Sequence, residues 1–286
     1  MLAFFYQSVT SSEYVCLLIE FNTYTMNRMK KIVGVAFFVL VTVAVSAQTR
    51  INASDIMDDI KKGKKISYTD ATIVGVLDLT FMEEQSENLP KNKIRRWWKQ
   101  STSNNVVAKN ISSKISFVNC TFEDHVFAYI HDEDTKYTFV ANFENNVVFE
   151  NCTFKEMALF KYSKFEGEAD FSDSRFEGAS SFKYAKFRDN TNFENTVYVG
   201  DSTFKYTKFD TYISFANSTF EESATFKYAA FRKGVSFNKT RFEEDLNIKY
   251  TKVTGDFDIT GMHVEYGIDS KYTSINGKKF KYNNQF

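Results

Sequence analysis

The sequence predicts an all-β solenoid whose coils each have four short sides. Three observations lead to this fold class. Bulky apolar residues recur in alternating steps of five and six, a small residue stands two positions before most of them, and whole strings return with a period of twenty-two. The 31 phenylalanines among 286 residues fit such a chain, because one packing arrangement used many times needs the same large side chain each time. Internal repetition therefore determines the predicted architecture.

The bulky positions form two interleaved series, each with a step of eleven residues. Residues two apart on an extended chain point the same way, so each bulky residue turns inward together with the small residue before it. A right-handed coiled coil also repeats every eleven residues, but steps of five and six leave no single helical stripe, and Phe, Thr and Tyr favour strands. The series are Phe149, Phe160, Phe171, Phe182, Phe193, Phe204, Phe215, Phe226, Phe237, Ile248 and Ile259, and Phe154, Phe165, Phe176, Phe187, Tyr198, Phe209, Phe220, Phe231, Phe242, Val253 and Val264.

Strings that recur with the longer period define one full coil. The string Phe160-Lys-Tyr-Ser-Lys-Phe165 is followed by close variants that start at Phe182, Phe204, Phe226 and Ile248. Equivalent residues therefore stack above one another, and we expect rings from successive coils to form a central column. Short polar residues recur at one corner between the strings, where they tolerate unusual backbone angles; they are Asn151, Asp173, Asn195 and Asn217.

The pattern of a small residue, any residue and then Phe or Leu resembles that of the pentapeptide-repeat proteins. The resemblance covers roughly residues 106–275, with an outlying piece at Ala71-Thr-Ile73. It implies a right-handed quadrilateral parallel β-helix with a solid phenylalanine core. The chain departs from the simplest form by one extra corner residue in alternate sides, so a coil has a length of twenty-two where four pentapeptides make twenty. Some members of the family resemble DNA and inhibit gyrase through an acidic surface, and the balanced charge of this chain argues against that activity.

Both ends of the repeat region need a cap, because an open coil is an exposed sheet edge. Residues 48–65 contain a short amphipathic helix, for which we predict Ser54 as the N-cap and Gly63 as the stop, and we assign them as the N-terminal cap. The β-helix is then expected to cover 66–275. The last segment, 276–286, is predicted to be a C-terminal cap or tail.

Residues 29–47 have the order of a secretory signal peptide. Lys30 and Lys31 precede an apolar stretch, and small residues follow it. We expect cleavage and export to a bacterial periplasm or beyond; the alternative is an uncleaved helix that anchors the protein in a membrane. Residues 1–28 are expected to be an upstream leader that comes from a mis-assigned start.

Two segments interrupt the repeat, at 82–105 and 129–138. The first contains Trp97 and Trp98 beside basic residues, a combination that binds sugars, nucleic acid or membrane surfaces, or that anchors a loop on the rod. The second contains His131-Asp-Glu-Asp134, which we interpret as a solvated acidic loop, because the spacing matches no recognised metal-ligand pattern. We therefore expect no metal and no other cofactor.

A row of lysine–tyrosine pairs, one pair per coil, is predicted to face outward. Such a strip suits an extended anionic polymer, with the rings stacking on it and the lysines balancing its charge. The simpler interpretation is that tyrosine favours strands and lysine suppresses edge association. Further lysines at 164, 186, 208 and 252 add charge on the adjoining side. The pairs are Lys161 and Tyr162, Lys183 and Tyr184, Lys205 and Tyr206, Lys227 and Tyr228, Lys249 and Tyr250, and Lys271 and Tyr272.

Cys120 and Cys152 occupy the small inward position of the same local string, Asn-Cys-Thr-Phe. We interpret them as two of several small residues that fit there. The alternative is a disulfide between neighbouring coils, which an oxidising compartment would favour.

Charge and repetition limit the function classes. The 36 basic residues balance the 36 acidic ones, so no net field favours nucleic acid as a partner. The first hypothesis is an exported, rigid, non-enzymatic module that presents a surface to a protein partner. The second is the binding of an anionic glycan or another envelope polymer along the lysine–tyrosine row. An enzyme acting on polysaccharide ranks last, and no catalytic residues are expected, because the pair repeats on every coil whereas catalysis needs one special place.

Overall fold

The computed structural model describes residues 48–87 and 105–282. From Thr49 onward these residues wind into a stack of coils, and each full coil contributes one strand to each of four sheets. Strands one coil apart pair in parallel, so the stack is a four-sided β-helix, as predicted from the repeat. Neither helix in the described part of the chain has the length and hydrophobicity needed to cross a membrane.

Several predictions fall on residues outside this description. They are the leader at 1–28, the signal peptide at 29–47, and the two tryptophans of the first insertion, Trp97 and Trp98.

We number the sides of the rod in the order in which the chain meets them within a coil. Side 1 consists of Ile66–Thr69, Ile115–Val118, Val147–Glu150, Ala169–Asp170, Thr191–Asn192, Ile213–Ser214, Gly234–Ser236 and Asp256–Asp258. Side 2 consists of Thr49–Asn52, Ala71–Val74, Thr121–Phe122, Thr153–Phe154, Arg175–Phe176, Val197–Tyr198, Thr219–Phe220, Arg241–Phe242 and His263–Val264. Side 3 consists of Leu77–Asp78, Val126–Phe127, Ala158–Leu159, Ser180–Ser181, Ser202–Thr203, Ala224–Thr225, Leu246–Asn247 and Ile268–Asp269. Side 4 consists of Val106–Ile111, Thr138–Phe143, Lys164–Phe165, Lys186–Phe187, Lys208–Phe209, Ala230–Phe231, Lys252–Val253 and Ser274–Ile275.

The alternating steps of five and six have a simple origin in these short strands. On sides 2 and 4 the second residue of a two-residue strand is buried and the first faces outward, as in Lys186–Phe187. On sides 1 and 3 the first residue is buried, as in Ser180–Ser181, and the bulky residue that follows the strand is buried as well. Bulky residues therefore come from the strand end on two sides and from the position after the strand on the other two.

The core is a column of stacked aromatic rings. Phe182 lies between Phe160 and Phe204, with ring centroids 5.3 and 5.0 Å apart and ring planes within 8° of parallel. Phe226 continues the stack 4.9 Å above Phe204. Rings of neighbouring columns meet edge to face, as Phe182 and Phe193 do at 5.1 Å, an arrangement that aromatic quadrupoles favour. The predicted ring column is confirmed.

Two corners of every regular coil turn through the left-handed region of backbone space. The short polar residues adopt it as predicted, with φ of 50° at Asn151 and 57° at Asp173. The tyrosines of the lysine–tyrosine pairs adopt it as well, with φ of 62° at Tyr184. The interpretation that these tyrosines favour strands is therefore wrong: they stand at turns, where each lies between a strand of side 3 and a strand of side 4.

Hydroxyl groups at the small inward positions join successive coils inside the rod. The Thr207 hydroxyl donates to the Phe182 carbonyl at 2.7 Å, and Ser218 donates to Phe193 at the same distance. Equivalent bonds run from Ser174, Thr196, Thr240 and Thr251 to the coil before each of them.

The first coil is capped by a strand and a helix. Thr49–Asn52 pairs with Ala71–Val74, and helix α1 (Ala53–Lys61) follows at once, with Ile56 and Ile60 buried against the rod. Asn52 is the N-cap residue and Ser54 lies within the first turn, so the prediction of Ser54 as the cap was wrong; the preceding strand brings the chain to the helix two residues earlier. Gly63 follows the helix with φ of 70°.

Both insertions leave the rod at the corner between sides 3 and 4. The first begins with helix α2 (Met82–Glu87). The second is a hairpin, since Tyr129–His131 pairs antiparallel with Thr138–Phe143. The interpretation of 129–138 as a loop was therefore wrong for its two arms, because main-chain pairing with the adjoining side extends the strand; the acidic residues lie in the turn.

The far end of the rod is covered by a short reversal of the chain. Lys278–Lys279 pairs antiparallel with Ser274–Ile275, and the Phe280 ring lies edge-on to Phe257 at 5.2 Å. The Phe280 amide donates to the Thr273 carbonyl at 3.0 Å. These contacts bury the last apolar residues of the core in part.

Candidate functional site

The six lysine–tyrosine pairs form one continuous line along the corner between sides 3 and 4. The second set of lysines, Lys164, Lys186, Lys208 and Lys252, occupies the outward positions of side 4 next to this corner. We call the pairs and these four lysines together the Lys–Tyr edge. The structure thus brings together every predicted member of the row that it describes, and all of them are at least partly accessible.

The tyrosine rings of the edge stack on one another. The centroids of Tyr162, Tyr184 and Tyr206 follow at 4.8 and 4.7 Å with ring planes within 2° of parallel. Tyr228, Tyr250 and Tyr272 continue the stack at 4.6 to 4.8 Å. Each interior ring therefore has neighbours against both faces, and a ligand meets ring edges and hydroxyl groups. The expectation that the rings stack on a bound polymer was wrong for this reason.

Each lysine of a pair lies over the ring of its own tyrosine. The distances from Nζ to the ring centroid run from 5.1 Å at Lys271 to 5.8 Å at Lys249, within the range of a cation–π contact. This contact holds the ammonium groups in a line and leaves their donors toward solvent.

The edge carries much more positive than negative charge. Among the described residues, Lys249 is the only one of the ten lysines with a carboxylate within 4 Å, and its partner is Asp269 at 3.7 Å. The next outward row of side 4 is different, because Asp210 pairs with Arg188 at 2.9 Å and with Arg232 at 3.1 Å. On side 4 the unpaired positive charge thus lies at the corner and in the first row beside it, whereas the next row is paired.

Crowding of like charge is visible in the titration of the central pair. Partial burial, together with the neighbouring Lys161 and Lys205 ammonium groups, lowers the pKa of Lys183 below its ordinary value. Partial burial and the adjacent tyrosines raise the pKa of Tyr184. An anion placed along the edge relieves the repulsion between the lysines, so the site is electrostatically prepared for one.

The hairpin 129–143 ends the edge on its N-terminal side. The Lys161 ammonium donates to the Tyr129 hydroxyl at 2.9 Å and lies 4.2 Å from the centre of the Tyr129 ring. Tyr129 precedes Lys161 by 32 residues, the same offset that separates Val126 from its partner Ala158. The sequence analysis missed Tyr129, although this offset across the insertion marks it as equivalent to a lysine of the row.

A groove of about 380 Å³ lies at this end of the edge. Tyrosines 162, 184 and 206 form one wall, and lysines 164, 186 and 208 form the other. Toward the hairpin the lining changes to Val106, Ala108, Val140 and Asn142. None of these last four residues was singled out from the sequence, because they belong to strands that depart from the repeat.

The remaining predicted features do not gather into a site. The acidic turn of the hairpin pairs locally, as Glu133 does with Lys136 at 2.8 Å. Within the described ranges, no group of three or more His, Cys, Asp or Glu side chains is placed to hold a metal ion.

The two cysteines are free thiols, buried on successive coils. The Cys152 thiol lies 3.4 Å from the Phe117 carbonyl of the preceding coil, which is the contact that serine and threonine hydroxyls make in later coils. Burial raises the pKa of Cys152, so this thiol stays protonated. Cys152 therefore acts as a small donor in the interior hydrogen-bond ladder.

Comparison with known families agrees with the repeat seen in the coils. A family model described as pentapeptide repeats (nine copies) matches residues 141–186, 182–229 and 204–252. No curated protein and no solved structure matches the chain.

Proposed function

Because residues 141–252 are pentapeptide repeats and the chain is thereby a pentapeptide-repeat protein, we propose that it is a rigid, non-catalytic binding module that holds an anionic glycan along its Lys–Tyr edge. Pentapeptide-repeat proteins are in general structural modules without enzymatic activity. The proposal assigns this rod a ligand class and a surface.

The row of unpaired lysines carries the proposal. Nine of the ten lysines of the edge have no carboxylate within 4 Å among the described residues, and Lys249 alone is paired. Like charges held this close repel one another unless a counter-charge binds; partial burial first, and then the neighbouring ammonium groups, lower the pKa of Lys183. An extended polyanion supplies one counter-charge after another along the line.

Spacing favours a glycan over a peptide as that polyanion. Lysines of one row follow each other at the rise of one coil, which is about 4.8 Å in a parallel sheet. Side chains on one face of an extended peptide recur at about 6.8 Å, so acidic residues of a peptide fall out of step with the row. A polymer of uronic acid, such as polygalacturonate, carries a carboxylate on each sugar, and one sugar is about as long as one coil is high. The protein-partner hypothesis therefore ranks second.

Retention on an immobilised acidic polysaccharide tests the proposal. We expect the protein to bind polygalacturonate at low salt and to pass through neutral dextran. A variant with Lys183→Glu, Lys205→Glu and Lys227→Glu is expected to lose retention at a salt concentration at which the parent protein stays bound, because attraction becomes repulsion at three successive coils.

The matched control places the same three charge changes on other parts of the rod. Lys114→Glu, Lys155→Glu and Lys233→Glu change exposed lysines outside the edge, and this variant is expected to be retained like the parent. Equal retention of the two triple variants would exclude the edge as the surface that binds the polysaccharide.

We also propose that the protein is exported, on the signal-like order of residues 29–47. Cell fractionation with N-terminal sequencing of the purified protein tests this. Recovery outside the cytoplasm with an N-terminus near residue 48 is the expected result. A cytoplasmic protein that retains residues 29–47 would contradict it.

A further inference from the structure

The groove at the hairpin end of the Lys–Tyr edge changes its chemistry along its length. Its lysine wall is one continuous row, because the strands of side 4 stack in register there from one coil to the next. The tyrosine wall ends where the hairpin strand pairs with side 4. Toward the N-terminus, both walls carry different residues.

Register identifies the replacements. Phe143 pairs with Phe165, so Asn142 stands one coil before Lys164. Val140 pairs instead with Tyr129 of the hairpin, and Tyr129 in turn contacts Lys161 and Tyr162. One strand further, Ala108 pairs with Val140, and Asn110 pairs with Asn142. The lysine row thus becomes Asn142 and Asn110, and the opposite wall carries Val140 and Ala108 beyond Tyr129. Aromatic hydroxyls give way to aliphatic groups, and charge gives way to neutral amides.

The neutral end is a defined surface with its own contacts. The Asn142 amide donates to the Asn110 side-chain carbonyl at 3.1 Å and accepts the Lys164 backbone N–H at 3.2 Å. Val106 extends the aliphatic row and is 52% exposed. The adjoining Lys161 is engaged by the Tyr129 hydroxyl, so the cationic part of the groove begins at Lys164. Five strands cross the groove, which makes it about 19 Å long at the spacing of a parallel sheet.

We propose that this groove recognises the end of an anionic glycan chain, with an apolar substituent on that end lying against the exposed Val106 and Ala108, where Val140, only 3% exposed, adds to the lining. The acidic sugars that follow lie along Lys164, Lys186 and Lys208, and their hydroxyls meet those of the tyrosine row. This inference rests on the proposed function and assigns one place on the rod to the chain end. A volume of about 380 Å³ is within the range of small-ligand sites.

Titration calorimetry with short, defined probes tests the inference. The probes are trigalacturonate carrying a hexyl group at its reducing end, at its non-reducing end, or at neither end. We expect one hexyl probe to bind at least about fivefold more tightly than the unsubstituted trimer, because its alkyl group removes apolar surface from water. Lys164→Glu is expected to weaken all three probes by about fivefold or more.

Lys114→Glu is the matched control for the charge. Lys114 is exposed like Lys164 and lies outside both the groove and the Lys–Tyr edge, so short probes are expected to bind this variant like the parent. For the aliphatic row, Ala108→Glu is expected to abolish the preference for the hexyl probe, whereas Val76→Glu, which changes an exposed valine elsewhere, is expected to keep it. A thermal melt of each variant checks that the rod is intact.

The outcomes separate this inference from the proposed function. Equal binding of the trimer by Lys164→Glu and Lys114→Glu, or the absence of any preference for a hexyl probe, overturns the groove as an end-recognition site even when long polygalacturonate still binds the edge. Failure of long polygalacturonate to bind the parent protein overturns the proposed function, and the groove assignment with it.

Discussion

Tyr198 shows how strictly the interior selects its residues. It stands in a column of phenylalanines, stacked between Phe176 at 5.2 Å and Phe220 at 4.4 Å. Its side chain is fully buried, and its hydroxyl has no hydrogen-bond partner among the described residues. Burial also raises the pKa of this phenol well above its ordinary value. The ring therefore packs in the column as a phenylalanine ring does, whereas the hydroxyl is buried without a hydrogen bond to any described residue.

Replacing Tyr198 by phenylalanine is therefore expected to stabilise the protein. Tyr198→Phe removes an unpaired buried hydroxyl and keeps the stacked ring, so the free energy of unfolding should rise by about 1 kcal/mol. Denaturant unfolding measures the change. Tyr206→Phe, at a half-buried position of the edge, is the control and should change stability little. A loss of stability in Tyr198→Phe would show that the hydroxyl has a partner.

Truncating a ring of the column is expected to have the opposite effect. Phe204 is fully buried and stacks on Phe182 at 5.0 Å and on Phe226 at 4.9 Å. Phe204→Ala should lower the free energy of unfolding by about 3–5 kcal/mol, because it loses both contacts and leaves a cavity. Tyr266→Ala, at a side chain that is 68% exposed, should change it by less than about 0.5 kcal/mol. Similar effects of both substitutions in a thermal or denaturant melt would argue against a packed column.

Within a coil, the small inward positions select residues by size and, at most coils, also by the ability to donate a hydrogen bond. Thr207, Ser218 and Thr240 each donate a hydroxyl hydrogen bond of 2.7 Å to a phenylalanine carbonyl on the coil before. Ala185 and Ala229 fill equivalent positions without a hydroxyl, so the bond strengthens the stack without being necessary at every coil. A pattern of small residues does not distinguish these two roles.

Thr207→Val separates size from hydrogen bonding. Valine has nearly the shape of threonine but cannot donate to the Phe182 carbonyl, so we expect a loss of about 1 kcal/mol in the free energy of unfolding. The comparison is Thr219→Val, where the hydroxyl lies on an outward and partly exposed position of side 2. Equal effects in denaturant melts would mean that the interior hydroxyls contribute no more than surface ones.

The two insertions leave the rod at the same corner, and this position explains what the second insertion contacts. Both emerge between sides 3 and 4, the corner that the lysine–tyrosine pairs occupy on later coils. In the second insertion, the chain forms a hairpin whose Tyr129 engages Lys161 and stacks at an angle on Tyr162 at 5.9 Å. The hairpin thus terminates the edge and supplies one end of the groove.

For the whole molecule, balanced composition conceals a one-sided distribution of charge. The chain has as many basic as acidic residues, yet ten lysines gather on one edge with a single ion pair among the residues that the structure describes. Elsewhere, arginines of sides 2 and 4 pair with carboxylates, as Arg188 does with Asp210. Net charge therefore does not predict the field at the edge, because that field depends on which charges the coils place side by side.

Binding at the edge is expected to depend on pH in the alkaline range. Partial burial, together with the neighbouring lysines, lowers the pKa of Lys183 from its ordinary value of 10.5, and a bound polyanion favours the charged form and raises the pKa again. Binding therefore takes up protons, and affinity for polygalacturonate should fall as pH rises through the lowered pKa, while the carboxylates of the ligand stay ionised. Calorimetry at constant ionic strength from neutral pH upward measures the fall.

Arginine at the same position provides the control for this pH dependence. Lys183→Arg remains charged throughout the range, so its loss of affinity should occur at higher pH than in the parent protein. An identical pH profile for the two proteins would show that Lys183 does not face the ligand.

The repeat by itself was sufficient to predict the length of the coil, its four sides and the ring column, because these follow from which residues alternate along an extended chain. It also located the row of lysine–tyrosine pairs, since equivalent positions of a stacked coil must lie above one another. Local periodicity did not reveal the left-handed turn at each tyrosine, where an aromatic residue stands at a corner that usually takes glycine or asparagine.

Only the tertiary structure decided what the edge offers to a ligand. Stacking of the tyrosines covers their faces, the hairpin engages Lys161, and Asn142 continues the lysine row with a neutral amide. Each of these facts depends on contacts between residues of neighbouring coils, far apart in the chain, and one of them on a strand outside the repeat. Such contacts depend on how coils of unequal length pair their main chains. The sequence period does not predict the pairing of a segment that lacks the repeat.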